Sequence, residues 1–166
     1  MHIFGVIGWK NSGKTTLMEG LVKELTAQGL RVSTIKHAHH NVDIDQPGKD
    51  SYRHRKAGAC QVLLASANRW ALMQEHRGAA PPPLSELLCQ LTPVDLVLIE
   101  GYKNADHPKI ETALQQSDRP LLALDNPSIT AVAAGYDVPN LNVPVMDIND
   151  IKTVANFVLH KTDLGK

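Results

Sequence analysis

Two cysteines, Cys60 and Cys89, are all that the 166-residue chain contains. They stand far apart, which excludes a disulfide framework and a cysteine-rich metal site and predicts free thiols in a reducing compartment. Charge of either sign is not in excess, since 17 basic side chains balance 17 acidic ones. No whole-protein field therefore draws the chain to nucleic acid or to an anionic membrane. No apolar run approaches the roughly 20 residues that a membrane-spanning helix needs. Internal repeats and low-complexity tracts are also missing, and a first strand that starts at the N-terminus leaves no room for a targeting segment.

What is there is an ordinary globular composition, 43% hydrophobic and 20% charged, long enough for one domain spanning residues 1–166. Histidine is abundant, and four of the eight (His37, His39, His40 and His54) crowd into one short stretch. His2–Ile7 reads as a buried strand, residues 15–28 as a helix with Leu17, Leu21, Val22 and Leu25 on one face, and Arg31–Lys36 as a second strand. Gly29 is a helix stop. This βαβ order predicts an α/β domain with a mostly parallel sheet flanked by helices. Further on, residues 37–50 read as a long polar loop, Ser51–Ala59 as a short basic helix, and Gln61–Ser66 with Arg69–Gln74 as a hairpin. Leu84–Leu91 is a short helix, Asp95–Gly101 a strongly apolar strand, and Tyr102–Ile110 a polar loop. Leu121–Asp125 and Thr130–Ala134 read as strands before a last helix over 150–160.

Between the first strand and first helix stands G-W-K-N-S-G-K-T-T, Gly8 to Thr16. The spacing GxxxxGK[ST] marks a phosphate cradle, because successive backbone N–H groups turn toward one anion only where glycine relieves the sterics. Gly8 and Gly13 supply that freedom, with Asn11, Ser12 and Thr16 completing the loop. Lys14 would reach the β- and γ-phosphates and the Thr15 hydroxyl would ligate Mg²⁺, at the positive end of the following helix. Lys10 is a second loop lysine, read as solvated.

A P-loop NTPase also needs an acid at the tip of a neighbouring strand. Glu100, closing D-L-V-L-I-E-G, is placed for it, and Gly101 permits close approach to the γ-phosphate. Lys14 and Glu100 are thus the candidate catalytic pair. Asp95 opens the same strand at the wrong end and reads as structural. In the loop after the second strand, Asp43, Asp45 and Asp50 are candidates for outer Mg²⁺ coordination, and Lys49, Arg53 and Arg55 for an anionic ligand. His37, His39, His40, Asp43 and Asp45 together offer an alternative transition-metal site.

These stretches, with T-I-K-H-A-H-H-N-V-D-I-D-Q-P-G-K-D-S-Y-R-H-R-K-A-G-A, R-W-A-L-M, D-L-V-L-I-E-G-Y-K and M-D-I-N-D, resemble the molybdopterin-guanine dinucleotide biosynthesis protein B (MobB) family over nearly the whole chain. The resemblance implies a cytoplasmic, homodimeric, GTP-binding accessory protein with weak GTPase activity. It would assist a guanylyltransferase that attaches guanine nucleotide to molybdopterin. GTP would fall on Gly8–Thr16, and Mg²⁺ on Thr15 and Glu100 with Asp45 as a third contributor. The basic 49–56 segment would hold the pterin phosphate. The guanine-reading signature N-K-x-D is absent, and K-N-A-D at Lys103–Asp106 has another order, so guanine rests on the resemblance, with Asp137 as a candidate base contact. The alternative is a metallochaperone-type GTPase whose histidine loop carries the metal.

Overall fold

The computed structural model describes residues 1–38 and 44–165. Two compact units divide the chain, one formed by Met1–Ala38 with Thr92–Lys166, the other by His39–Leu91.

The larger unit holds a six-stranded sheet, built from β1 (His2–Gly8), β2 (Val32–Lys36), β5 (Leu96–Glu100), β6 (Lys109–Ala113), β7 (Ile129–Ala134) and β8 (Val145–Asp147). The order is β2-β5-β1-β6-β7-β8, and every pairing is parallel. The α/β parallel sheet expected from the sequence is therefore present. Helices α1 (Lys14–Ala27) and α4 (Ile151–Lys161) pack on one face, where Phe4, Val6, Leu98 and Ala133 meet Leu17, Leu21, Val154 and Val158. Asp150 caps α4 by accepting from the Thr153 amide at 3.1 Å. On the opposite face Ala113, Val132 and Ala134 are covered by loop residues including Leu121, Tyr136 and Val143.

Three elements depart from the sequence reading. Leu121–Asp125, expected as a strand, contains a single 3₁₀ turn at Leu122–Leu124. The reason is Glu111, whose two carboxylate oxygens accept from the amides of Leu122 (3.0 Å) and Ala123 (2.8 Å) and so cap that turn. The strand belongs instead to β6, in which Lys109 and Glu111 are fully buried. Burial of these charges is offset by hydrogen bonds: the Lys109 ammonium donates to Ala105 O and to Ser128 Oγ. The short β8 is the third, set beside β7 where the sequence suggested only an approach to the last helix.

The second unit carries α2 (Asp50–Ala57), an antiparallel hairpin of β3 (Gln61–Ala65) and β4 (Trp70–Gln74), and α3 (Leu84–Cys89). Its hairpin is not a core element. Leu63, Leu64, Trp70 and Leu72 are all exposed, Trp70 by 65%. No residue of α3 is fully buried either.

Candidate functional site

β1 stops at Gly8 because the chain must leave the sheet there with φ +152°, and a Cβ would lie 2.6 Å from Thr112 Oγ1. The loop then turns through Asn11 at φ +63° and Gly13 at φ +92°, the latter serving as the N-cap of α1. Two side chains hold this turn to the sheet. Thr112 Oγ1 donates to Ile7 O at 3.1 Å, and Ser12 Oγ lies 2.7 Å from Thr112 Oγ1. Since the threonine proton is committed to Ile7, Ser12 is the donor in that pair. The Leu114 amide donates to Ser12 O at 3.2 Å, adding a backbone tie to the end of β6.

Lys14 reaches back across the loop. Its ammonium donates to Trp9 O at 2.5 Å and Gly8 O at 3.3 Å. Burial lowers its pKa, opposed by the negative charge of Glu100 and reinforced by Lys103 and Lys36. Glu100 stands at the tip of β5, in register with Val6 of β1 and Lys36 of β2. Its side chain is only 12% exposed, and the Lys36 ammonium sits 3.1 Å and 3.2 Å from its two oxygens. Past it, Gly101 adopts φ +100°, and a Cβ there would lie 2.8 Å from the His37 Cβ. The close approach that calls for glycine at this corner is thus made by His37, whose ring stacks on Tyr102 at 4.4 Å.

A cavity of about 360 Å³ is lined by Lys10–Thr16 together with Glu100 and Leu114. It brings together Asn11, Ser12, Gly13, Lys14, Thr15, Thr16 and Glu100 at the C-terminal ends of parallel strands. Loop backbone, the lysines Lys10 and Lys14, the hydroxyl side chains of Ser12, Thr15 and Thr16, and the Glu100 carboxylate line it. The hydroxyl of Thr15 and the carboxylate of Glu100 are hard oxygen donors of the kind Mg²⁺ takes. Asp137 is exposed, beyond the tip of β7.

The loop after β2 distributes its residues differently. Asp45, expected as a third metal contributor, is bound to its own unit: it accepts from Ser51 Oγ at 2.8 Å and Arg55 Nε at 3.1 Å. Arg55, expected to meet an anionic ligand, is a structural ion-pair residue between Asp45 and Glu75 (2.5 Å), with 13% of its side chain exposed. Lys49 and Arg53 are exposed, and Asp50 opens α2. His39, His40 and Asp43 lie outside the described residues. Among the described residues no cluster of three His, Cys, Asp or Glu side chains is placed to hold a metal ion. Asp95 is structural, accepting from the Arg31 amide at 2.7 Å.

Sequence reasoning passed over Lys36, Thr112 and the surroundings of Trp9. Lys36 was legible, since it ends its strand at the same edge as Glu100. Thr112 was not, because the sequence reading assigned no strand there: its polar loop ended at Ile110 and the residues after it were given no element. Trp9 donates to Pro120 O at 3.0 Å and carries Lys103 Nζ 4.1 Å and Arg119 Cζ 4.9 Å from its ring.

Comparison with known proteins agrees with this architecture. The family model described as molybdopterin guanine dinucleotide synthesis protein B matches residues 3–135. The molybdopterin-guanine dinucleotide biosynthesis adapter protein of Haemophilus influenzae is 43% identical over 160 residues, covering 94% of this chain and 86% of that protein. The protein of the same name from Escherichia coli is 43% identical over 155 residues, covering 91% and 87%. The crystal structure of Bacillus subtilis MobB superposes with a TM-score of 0.79 at 28% identity, covering 98% of each chain. The chain belongs to the molybdopterin guanine dinucleotide synthesis protein B family.

Proposed function

We propose that this protein is a GTP-binding adapter in the synthesis of molybdopterin guanine dinucleotide, holding GTP and Mg²⁺ on the Gly8–Thr16 loop and hydrolysing GTP slowly. The observation that carries the reading is the cavity in which Lys14, Thr15 and Glu100 converge at the tips of β1 and β5. Family membership and the adapter names of the relatives support the pathway.

In the proposed complex, the loop amides and the Lys14 ammonium neutralise the phosphates, Lys14 exchanging its bonds to Gly8 O and Trp9 O for phosphate oxygens. Thr15 and Glu100 would hold Mg²⁺, which when bound supplies charge neutralisation to the β- and γ-phosphates. Asp45 is left out of this set. Neither arginine nor glutamine lines the cavity among the described residues, which supports slow turnover, since positioning and charge supply most of the rate in phosphoryl transfer. The protein then acts by presenting nucleotide to a partner guanylyltransferase in the cytoplasm. Self-association as a homodimer is assigned to the exposed Leu63, Leu64, Trp70 and Leu72 of the hairpin.

Titration with fluorescent GTP and ATP analogues, with and without Mg²⁺, tests the reading. Preferential, Mg²⁺-dependent GTP binding that disappears in Lys14→Ala is the expected result. Equal affinity for ATP would overturn the guanine assignment, and no nucleotide binding would overturn the whole.

A further inference from the structure

Beside the phosphate loop stands a cation with no acidic partner, Lys103. It follows Glu100 by three residues, on the chain that leaves the tip of β5. That chain turns sharply. Gly101 takes φ +100° and Tyr102 φ +52°, so two consecutive residues are left-handed, and the second carries a full side chain against its preference. Beyond the turn the backbone is pinned, since Lys103 O accepts from Asn126 Nδ2 at 3.0 Å. While Tyr102 stacks on His37, the Lys103 side chain reaches the phosphate loop, its Nζ 4.1 Å from the centre of the Trp9 ring.

Trp9 thus holds two ammonium groups. Its carbonyl accepts from Lys14 at 2.5 Å, and its ring carries Lys103. The hold on Lys103 is one that phosphate can displace. An ammonium over an indole is attracted without a directed bond, whereas on a phosphate oxygen it makes a charge-assisted hydrogen bond. A like charge on the same ring favours that exchange: Arg119 Cζ lies 4.9 Å from the Trp9 centroid. Arg119 is exposed, and the indole is anchored separately through Pro120 O, so the ring keeps its place when Lys103 leaves it.

No acid competes for Lys103. Among the described residues no carboxylate lies within ion-pair distance of it. Glu111 acts on it from further off, and both Glu111 oxygens are committed to the amides of Leu122 and Ala123. Burial lowers the Lys103 pKa, opposed by Glu111 and reinforced by Arg119. The charge of Lys103 is felt in turn by Lys14, so it stands within electrostatic reach of the phosphate lysine. A cation that meets the γ-phosphoryl oxygens as the bond to them breaks raises the rate without tightening ground-state binding.

We infer that Lys103 is a catalytic residue of the proposed GTP hydrolysis, a cation supplied by the chain itself that leaves the Trp9 ring to meet the γ-phosphoryl oxygens. The inference rests on the GTPase reading of the Gly8–Thr16 loop. In the step, a water oxygen bonds to the γ-phosphorus and the bond from that phosphorus to the β,γ-bridging oxygen breaks. The electron pair of the broken bond leaves with GDP, and a proton of the water passes to the departing phosphate. Lys103 keeps its own proton throughout and neutralises charge on the γ-phosphoryl oxygens.

The test is single-turnover GTP hydrolysis by the full chain with Mg²⁺, together with GDP binding in the presence and absence of aluminium fluoride, which imitates the phosphoryl group in transfer. Lys103→Met should slow hydrolysis by about 10- to 100-fold. Its Kd for GTP and for GDP should stay within about threefold of the natural sequence. The tightening of GDP binding by aluminium fluoride should be lost. Lys103→Arg keeps the charge and should recover much of the rate. Arg119→Met removes the other, exposed cation of the ring and should leave the rate within about twofold. An unchanged rate in Lys103→Met would overturn the proposal. So would a loss of rate matched by an equal loss of GDP affinity, since Lys103 would then serve only the shape of the loop, or an equal loss of rate in Arg119→Met. If the natural sequence binds GTP without hydrolysing it, the GTPase reading falls and the role of Lys103 with it; hydrolysis indifferent to Lys103 removes that role alone.

Discussion

The Lys36 ammonium sits 3.1 Å from the carboxylate of Glu100, on the strand next to it and at the same register position. The acid proposed to hold Mg²⁺ therefore already has a cation, and on that proposal metal and lysine compete for its oxygens. Lys36 is 61% exposed, so solvent screens the pair and its worth is at most about 1 kcal/mol. Lys36→Met should accordingly lower the Mg²⁺ concentration needed for half-maximal GTP binding by about two- to fivefold. A magnesium titration at fixed nucleotide reads this directly. An unchanged midpoint would mean that Glu100 does not contribute to the metal site.

Thr112 makes the second prediction. Its hydroxyl joins Ser12 of the loop to Ile7 of β1 in a buried chain of two hydrogen bonds. Thr112→Val keeps the shape and orphans both partners, at a cost of about 1 to 3 kcal/mol. Scanning calorimetry should show a Tm lower by about 3 to 8 °C. GTP affinity should fall several-fold as the loop loses its tie. Thr112→Ser retains the hydroxyl and should restore both. Loss of stability with no loss of affinity would show that the tie serves the fold alone.

The sequence exposed one half of this site and concealed the other. Gly8, Gly13, Lys14 and Thr15 are legible because glycine positions and an ammonium at fixed spacing are local facts, and Glu100 because four apolar residues announce a buried strand ending in an acid. β6 is not legible. Lys109 and Glu111 are charges that a sequence reading sends to solvent, and their partners, Ser128 and the amides of Leu122 and Ala123, come from distant parts of the chain. The same long-range capture turned Leu122–Leu124 into a 3₁₀ turn against its strand-like composition. The surroundings of Asp45 and Arg55 were hidden for a related reason: the sequence shows a charged loop but not Ser51 and Glu75 beside it.

Glu111 yields a stability prediction of its own. Burial raises its pKa, and the two amide bonds work against that rise. Glu111→Ala leaves both amides without an acceptor, and should cost about 2 to 4 kcal/mol. Glu111→Gln keeps one acceptor oxygen and should recover roughly half. Urea midpoints of the three proteins decide the matter. Equal midpoints for the alanine and glutamine variants would show that packing, and not capping, is what the side chain supplies.

His107 gives the chain a pH dependence at the other end of β6. Among the described residues its Nε2 is buried without a hydrogen-bond partner, close against Gly5. Burial, aided by the neighbouring Lys109 charge and opposed by Asp106, lowers its pKa from 6.5 to about 4. The folded protein therefore binds fewer protons here than the unfolded chain between those two values. Stability must fall as pH drops from about 6.5 toward 4. The ring is only half-buried, so the loss is discounted to about 1 to 2 kcal/mol. Glu111, with its raised pKa, contributes a slope of opposite sign above 4.5, and a comparison of variants cancels it. His107→Leu removes the unpartnered nitrogen without creating a new one. It should be at least as stable as the natural sequence at pH 7 and gain on it by about 1 to 2 kcal/mol by pH 4.5. Urea unfolding at a series of pH values between these limits measures that difference. Parallel stability curves for the two proteins would show that His107 titrates alike folded and unfolded, and that its nitrogen reaches water.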